Sequence, residues 1–362
     1  MTGIGRYALT LARTLPRLDV ARQYVLVSPG GRVAGAADAA GNALPVIAGS
    51  GPFWRDLGLV DELERWGTEV YHSPLFVCPL VKACKYIVTL HDVIPLAAPE
   101  HCQPEFLRFF ERVAYPCLSL ADRVVTVSEF SRRDILRHLS LPEDKVVVVP
   151  ECAGSEFRPA REGESPERVL GQCGVERPFI LYVGSIERRK NVDGLLAAYA
   201  KLAPTLRAKL PLVIVGRDQA AGLSVAELTK KLGIAENVVL AGYLPDDDLA
   251  VLYRAARMFV FPSRYEGFGL PVLEAMASGV PVITSNVTSL PEVAGDAAVL
   301  IDPEDVDGLA AAMQRVHEDE ALRAGLVERG LRRAAEFSPE AMTKQMTAVY
   351  DSFRERDDAD SD

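Results

Sequence analysis

An α/β protein of two parallel-sheet domains is predicted by two observations. Short β-branched runs alternate with helical stretches from one end of the 362-residue chain to the other, and polar side chains gather where those runs stop. With 49% hydrophobic residues, a chain of this length buries a sizeable core and is long enough for two domains of ordinary size.

The first half begins with a glycine turn, TGIG, entering a helix over 3–18 that places Ile4, Tyr7, Ala8, Leu11 and Leu15 on one face. Strands follow at YVLVSP (24–29), LPVIAG (44–49), EVYHSP (69–74), YIVTLHD (86–92), RVVTVSE (123–129) and KVVVVPE (145–151). His72, Ser73, His91, Asp92, Ser128 and Glu151 fall at their carboxyl ends, the edge where open α/β sheets bind ligands. Only Met1 and Thr2 precede the first helix, whereas each later βα unit has its strand. The expectation is that Met1 is a misassigned start or a truncation, and that the native product carries roughly 10 to 20 more residues, enough for one strand.

Residues 152–178 break the periodicity with glycine, proline and mixed charge and read as an interdomain linker. The second half then gives six βα units, with strands at FILYVG (179–184), PLVIVG (211–216), VVLAGY (238–243), RMFVFPS (257–263), VPVITSN (280–286) and AAVLID (297–302). After the first of these, Val192, Leu195, Leu196, Tyr199 and Leu202 recur at helical spacing, with Asn191 placed to cap the start. The expected domains are 1–158 and 175–335 with a ligand cleft between them. A last helix over 336–353 could cross back to the first domain, and the acidic tail of 354–362 is expected to be disordered.

Residues 1–150 carry 16 Lys+Arg and 16 Asp+Glu, so the formal net charge of -10 lies wholly in the remainder. A pI near 5.2 argues against a nucleic-acid partner, which requires a basic face; net charge alone leaves a local basic patch for an anionic membrane open. No run reaches the roughly 18 apolar residues of a membrane span, and the N-terminus lacks signal-peptide order, so a cytoplasmic location is expected. Six scattered cysteines without a C-x-x-C pair read as reduced, mostly buried thiols.

Two segments carry chemistry. In FPSRYEGFGLPVLEAMASGVPVI a strand ending near Ser263 enters a loop with Gly267 and Gly269, then a helix that Pro271 can open at its first position and Gly279 can close. The loop amides and the helix N-terminus form a site for a phosphate or a sugar hydroxyl, with Glu266 in the loop and Glu274 one turn into the helix. In LYVGSIERRKNVDGLL the turn after the strand places Arg188, Arg189 and Lys190 just before Asn191, a corner suited to a departing diphosphate.

These segments resemble the signatures of the retaining nucleotide-sugar glycosyltransferases with the GT-B fold, the family of bacterial mannosyl- and rhamnosyltransferases. EGFGLPVLE fits the family's pair of glutamates separated by seven residues, and GSIERRKN its phosphate-binding turn; TGIGRY, HDVIP, VVTVSEFSRRDI and SNVTSLPEVAG fit further segments, so the likeness runs through most of the chain. The resemblance implies an α/β GT-B fold of two facing Rossmann-like domains. It implies that Glu266 contacts the transferred sugar, Glu274 the ribose hydroxyls, and Lys190 with Arg189 the diphosphate. The amides of Phe268, Gly269 and Leu270, next to Gly267, would touch phosphate and sugar, as would the turn at Gly184 and Ser185. His91 would approach the sugar near the anomeric centre, and a loop with Gly3 and Gly5 would lie at the cleft floor. Many family members have Arg where this chain has Ser185, so Arg189 is assigned the second cation in preference to Arg188.

The partners so implied are a nucleotide-sugar donor and a glycan or lipid-linked acceptor of surface polysaccharide, the latter compatible with peripheral contact at the inner face of the plasma membrane. Neither cofactor nor metal is expected beyond the nucleotide diphosphate sugar as co-substrate. Asp246, Asp247 and Asp248 resemble a D-x-D metal motif, but they follow Pro245 and open a helix, where capping and the dipole explain them. Gly3 to Ala8 also satisfies G-x-G-x-x-A, but no strand precedes it, which weakens a nicotinamide reading. A sugar-nucleotide epimerase, a phosphorylase and a non-catalytic nucleotide-sugar-binding protein are the rival classes.

Overall fold

The computed structural model describes residues 3–29, 42–48, 58–176, 178–217 and 224–354. Met1, Thr2 and the expected acidic tail beyond residue 354 lie outside them. The chain divides into two compact units, Met1–Cys152 with Phe337–Asp362, and Ala153–Glu336.

In the first unit β1 (Tyr24–Pro29) pairs with β2 (Ala43–Ala48), and β3 (Val70–Ser73), β4 (Lys85–Thr89), β5 (Arg123–Thr126) and β6 (Val146–Val148) form a second sheet in that order, all parallel. Alternate residues of a strand face opposite sides. Tyr86 and Val88 of β4 therefore join Phe110, Leu118 and Ile135 in one core, while Ile87 joins Val125, Val149 and Met346 in another. Two helices complete that second core, Gly3–Leu18 through Tyr7, Leu11 and Leu15, and Pro339–Asp351 through Met342, Met346, Val349 and Tyr350. Gly3 and Gly5 are the first turn of the N-terminal helix and not a turn leading into it. Packing starts at Tyr7, so Ile4 is exposed and Ala8 only half-buried, contrary to the expected apolar face.

The second unit is one six-stranded parallel sheet in the order β12, β11, β10, β7, β8, β9, where β7 is Ile180–Val183, β8 Leu212–Val215, β9 Val238–Gly242, β10 Met258–Phe261, β11 Val282–Ser285 and β12 Ala298–Ile301. The four inner strands are buried at every residue, as a sheet covered on both faces requires, whereas edge strands β9 and β12 leave Leu240 and Leu300 exposed. The expected linker contains the helix Glu167–Cys173, which buries Val169 and Leu170 and ends at Gly174 in the left-handed conformation (φ 63°). Two adjacent apolar residues and a glycine stop suffice for two turns of helix in a segment otherwise rich in breakers. Among the described residues no helix is long and apolar enough to cross a membrane.

Candidate functional site

The strand order of the second unit reverses between β7 and β10, and ligands of open α/β sheets bind beyond the carboxyl ends at such a reversal. The loops leaving these two strands, 184–191 and 262–269, carry the motif residues.

A tight turn, Arg188–Lys190, is stopped by Asn191, whose φ of 57° is left-handed. Its buried amide nitrogen donates to the carbonyls of Pro262 (3.0 Å) and Pro303 (2.7 Å), tying three loops together. Asn191 therefore does not cap the helix Val192–Lys201 with its side chain, contrary to the expectation from its position. Gly194 makes room for it: a Cβ there would come within 2.3 Å of Asn191 Oδ1.

This turn delivers Lys190 and Arg189 to Glu266. Lys190 Nζ lies 2.7 Å from Oε1, Arg189 Nη1 lies 3.1 Å from Oε2 and also donates to the Tyr265 carbonyl (2.6 Å), and Ser263 Oγ donates to Oε1 (2.6 Å). Beneath them the Lys190 ammonium sits 5.0 Å from the centroid of Phe261, within cation–π range. The backbone of Glu266 is fixed too, its N–H donating to Thr288 Oγ1 (3.2 Å) and its carbonyl accepting from Ser289 Oγ (2.9 Å). Among the described residues only Asn191 and Thr288 are non-glycines with positive φ; Asn191 ends the turn that carries Lys190, and Thr288 accepts from the Glu266 backbone N–H. Such backbone strain, of order 1 to 3 kcal/mol each, persists where the surroundings impose it and is typical of functional loops.

Burial works against the charge of Glu266, but Lys190 and Arg189 outweigh it and hold its carboxyl below the ordinary range. Burial and the neighbouring Arg189 pull the Lys190 ammonium down, with Glu266 opposing them. One carboxylate thus serves two cations. Arg188 is exposed and contributes its carbonyl to Arg264 Nη1 (2.8 Å).

Glu274 lies in the helix Leu270–Ala277, where Pro271 occupies the second position and not the first, after Gly269 at φ 109°. It is fully buried and its Oε2 accepts from Tyr253 Oη at 3.0 Å. Gly267, Phe268 and Leu270, in the loop and first turn leading to this helix, are buried, and the Phe268 carbonyl accepts from Ser289 Oγ (2.8 Å). On the β7 side Gly184 presses its carbonyl against Gly216, where a Cβ would approach within 1.8 Å. Ser185 Oγ donates to Glu187, which also reaches Arg189 (3.7 Å).

His91 belongs to the first unit, just past β4. Its Nδ1 is 3.0 Å from Glu151 Oε1, its Nε2 is 3.1 Å from the Pro74 carbonyl, and Tyr7 meets the ring edge-on at 4.8 Å. Burial opposes its charge, yet Glu151 raises its pKa above the ordinary imidazole value. The acidic run after Pro245 occupies the first turn of the helix Asp246–Ala255, where the dipole favours it; no side chain caps this helix from the N-cap, and Asp248 pairs with Arg168.

Ser263, Tyr253, Thr288 and Ser289 were not assigned roles from the sequence. Ser263 ends a strand, and Thr288 and Ser289 lie in SNVTSLPEVAG, a segment already matched to the family; Tyr253 carries no local signal, being 21 residues from the carboxylate it binds.

Comparison with known proteins identifies the family. The family described as Glycosyl transferases group 1 matches residues 172–333, and Glycosyltransferase Family 4 matches residues 1–153. The chain is 35% identical to O-antigen chain mannosyltransferase B of Escherichia coli over 97% of its own length and 96% of that protein. It is 33% identical to the serotype-specific mannosyltransferase WbdA of Escherichia coli over 70% of its length, spanning 32% of that larger protein. Among solved structures, WaaG, a glycosyltransferase involved in lipopolysaccharide biosynthesis, superposes with a TM-score of 0.73 at 18% identity, covering 96% of each chain, and shares the GT-B fold. With parallel α/β sheets in both units and a relative 35% identical over 97% of its length, the chain belongs to the group 1 glycosyltransferases of GT-B fold.

Proposed function

We propose that this glycosyltransferase moves a mannose- or rhamnose-like sugar from a nucleoside diphosphate to a glycan or lipid-linked acceptor of a surface polysaccharide, with retention at the anomeric carbon. The relatives named for O-antigen and serotype-specific mannose transfer support the sugar and the acceptor class. The observation that carries the donor is the pair of cations Lys190 and Arg189 brought side by side at the switch point, with Glu266 shared between them and Glu187 beside Arg189.

In this reading the diphosphate lies against Lys190 and Arg189, relieving the repulsion between them, while Glu266 faces a sugar hydroxyl and Glu274 the ribose. As the bond from the anomeric carbon to the phosphate oxygen breaks, the electron pair passes to that oxygen, where preorganised cations stabilise it without reorganising. The acceptor oxygen bonds to the same face of the anomeric carbon, and its proton goes to the departing phosphate. The cations take the place of a metal ion. Action at the cytoplasmic side, with peripheral membrane contact for a lipid-linked acceptor, belongs to the same proposal.

A panel of UDP-, GDP- and dTDP-sugars tests it. The matching donor raises the melting temperature by mass action and is consumed only with acceptor present. A panel without any thermal shift or transfer would defeat the reading, and a product of inverted anomeric configuration would defeat retention.

A further inference from the structure

His91 is enclosed by hydrogen-bond acceptors. A carbonyl oxygen can only accept, so the 3.1 Å contact with Pro74 requires a proton on Nε2. The 3.0 Å contact between Nδ1 and Glu151 Oε1 must hold a further proton, since two bare acceptors would repel. A carboxylic acid gives up its proton to an imidazole more readily than the reverse, so that proton rests on the ring.

We infer that Glu151 is a positioning residue that holds His91 as a doubly protonated imidazolium, and so removes it from service as a proton acceptor in sugar transfer. Every element packed against the ring fits this assignment. Glu151 stands just past β6, and Asp92, next in the chain, adds negative potential. Tyr7, from the N-terminal helix, presents its ring edge-on and shares its hydroxyl with Thr89 (3.3 Å) and not with the imidazole. His72 on β3 is held neutral, because burial and the nearby His91 charge bring its pKa down to about 4. Ser131, from the helix Glu129–His138, donates its hydroxyl to the His91 carbonyl (2.9 Å). The ring is thus charged, with no lone pair left to take a proton from an acceptor hydroxyl. The link to transfer rests on the proposed function, whereas the protonation state does not.

Nitrogen NMR of the full chain, labelled at its five histidines, reads the ring directly. Single Gln variants of His101, His138 and His317 identify their signals, and His72 is set apart by its neutral ring. At pH 7 both His91 nitrogens fall in the protonated range. In Glu151→Gln, where an amide donates to Nδ1, the ring becomes a neutral Nε2–H tautomer. A neutral His91 in the wild type, or an imidazolium that persists in Glu151→Gln, overturns the inference. In turnover assays kcat does not rise with pH through the His91 titration that the nitrogen signals report, because a ring held as imidazolium takes no part as a base. A kcat that climbs with that titration breaks the connection with transfer. If no nucleotide sugar reacts at all, the functional reading fails while the ring measurement stands.

Discussion

In the second unit one carboxylate, Glu266, is divided between Lys190 and Arg189, whereas in the first unit each ring nitrogen of His91 and His72 has a partner of its own. His72 reaches Tyr350 Oη (2.9 Å) and Thr89 Oγ1 (3.0 Å), so a buried polar chain joins the last helix, β3, β4 and, through Tyr7, the first helix. A satisfied network fixes geometry; two cations crowded side by side at a strand-end turn favour an anion between them. The two units share a parallel α/β plan and use their buried charge for different ends.

Removing a cation from the corner gives the largest expected effect. Lys190→Ala lowers turnover by about 30- to 1,000-fold, equivalent to about 2 to 4 kcal/mol of transition-state stabilisation. A loss under threefold would put the corner on the same footing as the satisfied network.

The first unit answers to pH. His72 has its pKa lowered from 6.5 to about 4, so the unfolded chain binds the proton more readily and stability is lost as pH falls from about 6.5 to 4. A gap of that size corresponds to about 3 kcal/mol. His91, with its pKa raised, acts in the opposite sense: its contribution is complete below the ordinary imidazole value and disappears as pH rises through the folded value. Denaturant unfolding across pH 4 to 8 should show both limbs, and His72→Gln should flatten the acid one. An acid limb unchanged in that variant would mean that carboxylates alone set it.

Glu274→Ala should weaken nucleoside diphosphate binding more than it slows turnover, and Glu266→Ala the reverse. Tyr253→Phe removes one hydrogen bond from a fully buried carboxylate, and is expected to raise the same Kd roughly 3- to 10-fold. Calorimetry on the three variants separates these roles, and equal affinities would erase the distinction. The smallest expected effect is that of a strong chelator. Turnover in its presence should be unchanged, and activity restored only by added magnesium or manganese would assign the charge to a metal.

Much of the architecture was legible because β-branched runs such as FILYVG and KVVVVP have few other ways to be buried, and all twelve expected strands are present within a residue or three of their anticipated ends. Lys190, Arg189 and Glu266 were legible as motif residues, and the structure brings them together. The pairing that locks them was not, because Ser263, Thr288 and Asn191 act through contacts that span 3, 22 and as many as 112 residues. Asn191 stood where a helix cap belongs, and two carbonyls from other loops claimed its amide instead. The Glu167–Cys173 helix was hidden by surrounding glycine and proline, and the partnership of His72 with Tyr350 crosses 278 residues.

The bare contact between Gly184 and Gly216 sets a boundary for anyone redesigning the turn at Ser185. Ser185 and its neighbours form a natural library, since their side chains stand on a turn whose path is already fixed. Gly216 is not part of that library. Even alanine there would drive a methyl group into the Gly184 carbonyl and displace the turn that presents Ser185, so selections that randomise the whole segment would discard most of their members as misfolded.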